Sequence, residues 1–294
     1  MIDSELFYCK NPDTYPPFKN GFYMEEYFLK KIQIENPVLS KRKYIPALWT
    51  NFQVSSWFSN KIEEMQNSLD QWFKENPSEY GYFTVVQHDD GPRLKLPQNT
   101  VIYGACCGMV PIPLIYQDID NTLNRLKKIP FQEKTMLCSF VGNITANSVQ
   151  PNVRETIFKK FKQNPKIVLY DSGGWTPQVN TGLQKLFIDM TQKSKFALAP
   201  RGYGRGSFRF YECFQLGTIP IYVWNDFEWL PYMDIIDYER LCISIHVSEL
   251  DHLELLLESI TEQTYNEMFE YYEEIKHLFE LDGMSSEIIR HVNY

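Results

Sequence analysis

Residues 194–237 read SKFALAPRGYGRGSFRFYECFQLGTIPIYVWNDFEWLPYMDIID. The apolar run KFALA at 195–199 has the pattern of a strand, and it empties into the glycine-rich turn RGYGRG at 201–206. Ser207 is an N-cap residue for a helix over 207–216, and Gly217 suits the position just past its end. The run TIPIYVW at 218–224 is a second strand, apolar almost throughout. Strands of that kind, alternating with helices, predict an α/β fold with a parallel sheet covered by helices.

The alternation continues outward from this stretch. Downstream, 241–246 is a strand and the end of the chain is helical. Upstream, strands fall at 166–170 and 135–141, with helices at 181–191 and 152–161. The N-terminal half carries helices over 25–34 and 57–73, the second with Ile62, Met65, Leu69 and Trp72 at steps of three and four. Its strands fall at 43–50, 82–87 and 100–105. The expected organisation is two facing Rossmann-like domains, residues 1–130 and 131–264, with C-terminal helices over 265–294 that pack back on the first domain and across both. Such a pair puts a site in the cleft, near the carboxyl ends of the strands.

The 294 residues carry 29 Lys+Arg against 37 Asp+Glu, a net charge of −8, with 44% hydrophobic and 22% charged residues. That balance belongs to a packed globular chain and excludes global disorder. An acidic chain without basic blocks argues against nucleic acid as a partner, but not against a local cationic pocket for a small anion. The six cysteines form no Cys-x-x-Cys, and most sit in apolar runs. They are expected as buried, reduced thiols rather than a zinc site or a disulfide framework. No basic segment followed by an apolar run opens the sequence, and the longest uncharged stretch, 96–117, is interrupted by Pro97, Pro111 and Pro113. The expectation is no signal peptide, no transmembrane segment, no stable membrane insertion and a cytoplasmic location.

The turn at 201–206 and the helix after it gather Arg201, Arg205 and Arg209 beside the free N–H groups of a helix N-terminus. Gly202, Gly204 and Gly206 permit unusual dihedrals and close approach to a ligand. This is the chemistry of an anion site, best suited to phosphate; the alternative is a tight loop with solvated arginines. Glu212 lies mid-helix among Phe210, Tyr211, Cys213 and Phe214. It is either an exposed helix glutamate or a carboxylate facing a ligand, able to accept both hydroxyls of a ribose.

At these residues the sequence resembles the donor-binding half of exostosin-type glycosyltransferases (glycosyltransferase family 47). That family's pattern runs S-K-F-x-L-x-P-R-G-Y-G, then S-x-R-x-x-E, then G-x-I-P-V. Ser194, Lys195, Phe196, Pro200, Arg201, Gly202, Tyr203, Gly204, Ser207, Arg209, Glu212, Gly217, Ile219 and Pro220 occupy those positions. SFVGN at 139–143 with Arg154 resembles the family's F-x-G…R element, and VVQHDDGP at 85–92 is similar to its H-D-x-G-P turn. The resemblance is clear over 135–250 and patchy before it. It implies a GT-B architecture and inverting transfer from a UDP-sugar to a hydroxyl of an oligosaccharide or glycoprotein glycan. The sugar implied is xylose, a hexose or a uronic acid. The chain is similar to the short forms in bacteria and large DNA viruses, including chlorovirus xylosyltransferases; a viral member would work in the host cytoplasm.

On that resemblance Arg154, Lys195, Arg201, Gly202, Tyr203, Gly204, Arg205, Ser207, Arg209 and Glu212 are the expected donor-binding residues. The arginines and the helix terminus stabilise a departing diphosphate, so no metal cofactor is expected. The candidate base is Asp90, then Asp89 or His88, in a loop that ends a strand; the competing reading is an Asp-Gly turn whose acids cap the backbone. Trp49, Thr50 and Glu25 are acceptor candidates, and Trp57 and Trp175 offer further faces for sugar, though core packing is the commoner fate of Trp. Asp118-x-Asp120 has the form of a metal-binding pair, but it opens the amphipathic stretch 119–129, where acids favour a helix start. Two other functions remain open. One is an NAD-dependent oxidoreductase, with Asp226 as its ribose acid 24 residues after Gly202, although the glycines run G-x-G-x-G. The other is an inactive GT-B protein that only binds glycans.

Overall fold

Helix α1 (Met24–Glu35) buries Met24, Phe28 and Leu29 along one stripe, the spacing that makes 25–34 legible as a helix. The strand expected over 43–50 is cut short. Strand β1 is only Lys43–Tyr44, because Pro46 has no N–H for a ladder, and Trp49–Gln53 turns into helix α2 instead. Helix α3 (Phe58–Glu75) carries its apolar face, Phe58, Met65, Leu69 and Trp72, onto the sheet. Strand β2 (Tyr82–Val86) is buried at every position, as a strand covered on both faces must be. With β3 (Thr100–Gly104) and β4 (Val110–Pro111) it completes a four-stranded parallel sheet, ordered β1-β2-β3-β4. The computed structural model describes residues 1–10, 21–145, 151–174 and 180–293. Trp175 lies outside them.

The second sheet is built from β5 (Met136–Gly142), β6 (Ile167–Asp171), β7 (Ser194–Pro200), β8 (Ile219–Trp224) and β9 (Ile243–His246). All are parallel, in the order β6-β5-β7-β8-β9. The crossovers are α4 (Val153–Phe161), α5 (Thr181–Lys193), α6 (Phe208–Gln215) and the short α7 (Tyr238–Leu241). Helix α8 (Leu253–Ser259) follows, then α9 (Glu262–Ile275). The amphipathic stretch 119–129 forms turns instead of a helix, since Asn121 takes a left-handed φ of 50°.

One compact unit comprises Met1–Ile115 with His277–Tyr294, and the other Tyr116–Lys276. Residues 116–130 and 265–276 therefore belong with the second sheet, against the expected divisions at 130/131 and 264/265. Gln215 Nε2 donates to Tyr116 O (3.3 Å) and Gln192 Nε2 to Lys127 O (3.3 Å), which ties the linker to α6 and α5. Helix α9 is held by Tyr265, whose hydroxyl reaches Gly217 O at 3.2 Å, and by Tyr272, stacked on Phe214 at 4.3 Å. The last helix, α10 (Leu281–Asn293), returns to the first unit: Lys31 pairs with Asp282 at 2.6 Å, and Tyr103 OH meets His291 Nδ1 at 2.6 Å. Among the described residues no helix is long and apolar enough to cross a membrane.

Candidate active site

The strand order of the second sheet reverses between β5 and β7, whose carboxyl ends, Gly142 and Pro200, lead into residues 143–145 and the loop 201–207. Open α/β sheets bind ligands at such a point. Arg154, in the first turn of α4, spans it. Its Nη1 donates to Asn143 O (3.0 Å), its Nη2 to Pro200 O (3.4 Å) and its Nε to Arg201 O (3.1 Å). A Cβ at residue 202 would lie 3.0 Å from Arg154 Nη2, so Gly202 makes room for this bridge. None of Gly202, Gly204 and Gly206 has a left-handed φ. At Gly202 close approach, rather than the expected dihedral freedom, is what the residue supplies.

Arg201 is only 4% exposed. Its Nη1 donates to Asn225 Oδ1 (3.0 Å) and to Asp226 Oδ1, and its Nη2 to Tyr203 O (3.2 Å). Its Nε is buried and has no hydrogen-bond partner among the described residues. Arg205 donates from Nε to the other oxygen of Asp226 (2.9 Å), and its guanidinium lies over the rings of Phe227 (5.1 Å) and Trp229 (5.4 Å). Burial works to raise the Asp226 pKa, but hydrogen bonds and charge from Arg201 and Arg205 hold it below the ordinary carboxylate value. Asn225 ties this loop to its surroundings: Nδ2 donates to Pro151 O (2.9 Å), and its carbonyl accepts from His246 Nε2 (3.1 Å). His246 is thus a strut of the rim, while Tyr203 and Phe227 expose 59% and 65% of their surfaces beside it.

Ser207 takes the N-cap position of α6, but its hydroxyl makes no capping bond. The Arg209 guanidinium lies 4.4 Å from the Phe187 ring centroid, and its Nη1 is buried without a hydrogen-bond partner among the described residues. One turn on, the half-buried Glu212 carboxylate makes no hydrogen bond to a described residue. Burial raises its pKa and the Arg209 charge only partly offsets this. Lys195 is a correction to the expected donor set. It sits at the amino end of β7, five residues or about 17 Å from Pro200, with Nζ over the Phe131 ring at 4.0 Å. Asp118 accepts from the N–H groups of Thr122 (2.7 Å), Leu123 (2.8 Å) and Asn124 (2.8 Å), which makes it a turn-capping acid.

In the first unit His88, Asp89 and Asp90 form the turn that follows β2. Gly91 N donates to His88 O (2.9 Å), and Asp90 N to His88 Nδ1 (3.2 Å). Gly91 closes the turn at φ 68°, and a Cβ there would come 2.6 Å from Cys107 Sγ. Burial lowers the His88 pKa against the opposing charges of Asp89 and Asp90, which keeps the ring neutral at pH 7. Two buried side chains pin the flanks: Glu25 Oε2 accepts from Gln87 N (3.1 Å), and Gln53 binds Gly91 O (2.9 Å) and Arg93 N (2.6 Å).

The three acceptor candidates are corrected by their burial. Trp49, Thr50 and Glu25 are each 0% exposed. Trp49 Nε1 donates to Thr84 Oγ1 (2.7 Å), and Thr50 N to Glu25 Oε1 (2.6 Å). They frame the loop that follows β2 rather than present a surface to sugar. Burial pushes the Glu25 pKa from an ordinary 4.5 up to about 7. The folded state therefore holds a proton that the unfolded chain has released between those values. Glu25's contribution to stability is full below pH 4.5 and is lost as pH rises through 7. Urea denaturation from pH 4.5 to 7.5 should shift in favour of Glu25→Gln, relative to wild type, by on the order of 3 kcal/mol. A constant difference across that range rules this behaviour out.

Residues 107–263, more than half of the chain, match the family described as Exostosin GT47 domain. Among curated proteins, a probable glycosyltransferase of Arabidopsis thaliana is 24% identical over 174 residues, 54% of this chain and 35% of the relative. A second from Arabidopsis is 26% identical over 247 residues, 78% of this chain and 48% of the relative. A probable glucuronosyltransferase of Oryza sativa subsp. japonica is 26% identical over 107 residues, 36% of this chain and 23% of the relative. The chain thus spans about half, or less, of the length of these relatives.

Proposed function

The chain belongs to the exostosin glycosyltransferase family, GT47, and on that premise we propose that it moves a sugar from a UDP-sugar to a hydroxyl of a glycan acceptor, with inversion and without a metal. The observation that carries this reading is the pairing of a buried, incompletely bonded guanidinium at the strand-order reversal with a half-buried carboxylate on the helix that follows. Arg201 and Arg205 take the diphosphate, supplying fixed positive charge where negative charge develops on the leaving group. Glu212 accepts from the ribose hydroxyls, which gives its desolvated carboxylate the partners it lacks. Asp90 takes the proton from the acceptor hydroxyl as the anomeric carbon is attacked from the face opposite the diphosphate. The six cysteine thiols, four of them buried, support a reducing compartment such as the cytoplasm. Asp226, the ribose acid of the NAD alternative, is engaged by two arginines, and nothing in the site favours that reading.

A UDP-release screen in EDTA tests the proposal. Resemblance to xylosyltransferases makes UDP-xylose one arm, and the name of the rice relative makes UDP-glucuronic acid another; UDP-hexoses complete the set. Release from one donor with an acceptor glycan present is expected. Failure to bind UDP at all would overturn the reading. Glu212→Gln should raise the donor KM about 10- to 100-fold, the worth of a charge-assisted hydrogen bond. Its melting temperature should hold or rise, because an unpaired, desolvated charge has been removed. An unchanged KM takes Glu212 out of the donor site.

A further inference from the structure

Asp226 divides one carboxylate between two cations, Oδ1 to Arg201 and Oδ2 to Arg205. Each partner also makes contacts of its own. Arg201 is also bound by Asn225 Oδ1 and Tyr203 O, and Arg205 by the faces of Phe227 and Trp229. The local charge of this trio is therefore +1, where the two guanidiniums alone carry +2. Arg201 Nε, buried and without a partner among the described residues, shows that the carboxylate does not exhaust what this guanidinium can donate. Carboxylate and phosphate are recognised by the same planar fork of N–H donors. The carboxylate and an incoming diphosphate thus compete for one set of atoms.

We propose that Asp226 is a resident counter-anion of the donor site: it keeps Arg201 and Arg205 together when no nucleotide is bound and yields them in part to the diphosphate. This rests on the reading of the arginine loop as the diphosphate site. Asp226 is on this account a positioning residue that touches neither sugar nor acceptor. It weakens nucleotide binding and speeds departure of the product UDP, because the arginines bond the phosphates partly at the expense of their bonds to the carboxylate. Removing its charge leaves Arg201 buried beside Arg205 with their repulsion uncompensated, a state that an anionic ligand relieves.

Asp226→Asn, close to isosteric, tests this, with UDP and inorganic pyrophosphate as separate probes in calorimetry and thermal shift. The ligand-free variant should melt below wild type. It should bind pyrophosphate and UDP about tenfold more tightly, within the range of coupling seen for close charge pairs. Its upward thermal shift with either ligand should exceed that of wild type. Both kcat and donor KM should fall, the signature of a product held too long. Asp226→Glu, which restores the charge, should bind as wild type does. A folded Asp226→Asn that binds both probes no better than wild type overturns the proposal. If the variant does not fold alone, folding in saturating pyrophosphate supports the proposal and continued unfolding overturns it. The two readings fail separately. Tight wild-type UDP binding with no gain in the variant removes the counter-anion role and leaves the donor site. A gain for pyrophosphate, with UDP no better than pyrophosphate, keeps the counter-anion role and removes the nucleotide.

Discussion

Arg201→Ala should lower transfer by about 10²–10³-fold, the loss typical of one preorganised donor at a charged leaving group. The side chain does two things at once. It is the best-buried cation of the arginine loop, and its Nη1 holds Asn225 and Asp226 in the loop after β8 while its Nη2 reaches back to Tyr203 O. Truncation also removes one of the two partners of Asp226, so a drop in stability of about 3 kcal/mol accompanies the loss of activity. Arg201→Lys separates the two contributions. It keeps a charge but not the planar fork, and one ammonium cannot serve Asn225, Asp226 and Tyr203 together. It should recover much of the stability and little of the turnover. Steady-state UDP release and thermal melting on the three proteins decide the matter, and alanine kinetics within threefold of wild type would remove Arg201 from the site.

A comparable loss, about 10²–10⁴-fold in kcat, is expected for Asp90→Asn if a positioned carboxylate is the base. Asparagine is the substitution of choice because it keeps the turn: its side chain is close to isosteric, and Asn is as much at home as Asp before a glycine at positive φ. Donor and acceptor KM values should stay near wild type. Asp89→Asn is the control in the same turn. Burial keeps His88 neutral, with Nδ1 occupied by the Asp90 N–H, so the proton of the neutral ring is on Nε2. Undiminished kcat in Asp90→Asn moves the role of base to Asp89 or to another group.

Much of this was legible in the sequence, for a physical reason. The strands of a parallel sheet are apolar along their length, so 195–199 and 218–224 stand out from the helices between them, and the observed bounds, Ser194–Pro200 and Ile219–Trp224, lie within a residue of that reading. The arginine loop was legible because its glycines and arginines are contiguous. What escaped depends on partners distant in sequence. Asp226 meets Arg201 and Arg205 only because β7 and β8 run side by side and deliver both loops to one edge. Glu25 has the appearance of a helix-start surface acid until folding brings it to the N–H groups of Thr50 and Gln87. Lys195 satisfies a motif letter by letter, yet motif spacing does not say which end of a strand the ligand visits. The strand expected over 43–50 failed at a single proline.

The return of α10 to the first unit has a consequence for how the chain is made. The second unit is an insertion, with both of its ends attached to the first. Synthesis runs from the amino terminus, so Met1–Ile115 leaves the ribosome first, yet lacks the helix whose Asp282 meets Lys31 and whose His291 meets Tyr103. Tyr116–Lys276 is a continuous segment and has all of its own strands before the last helix exists. The order of completion is therefore the reverse of the order of translation. The earlier-made sheet waits, with its α10-facing surface uncovered, until α10 has been added, and that interval leaves the nascent unit exposed to chaperones and to aggregation.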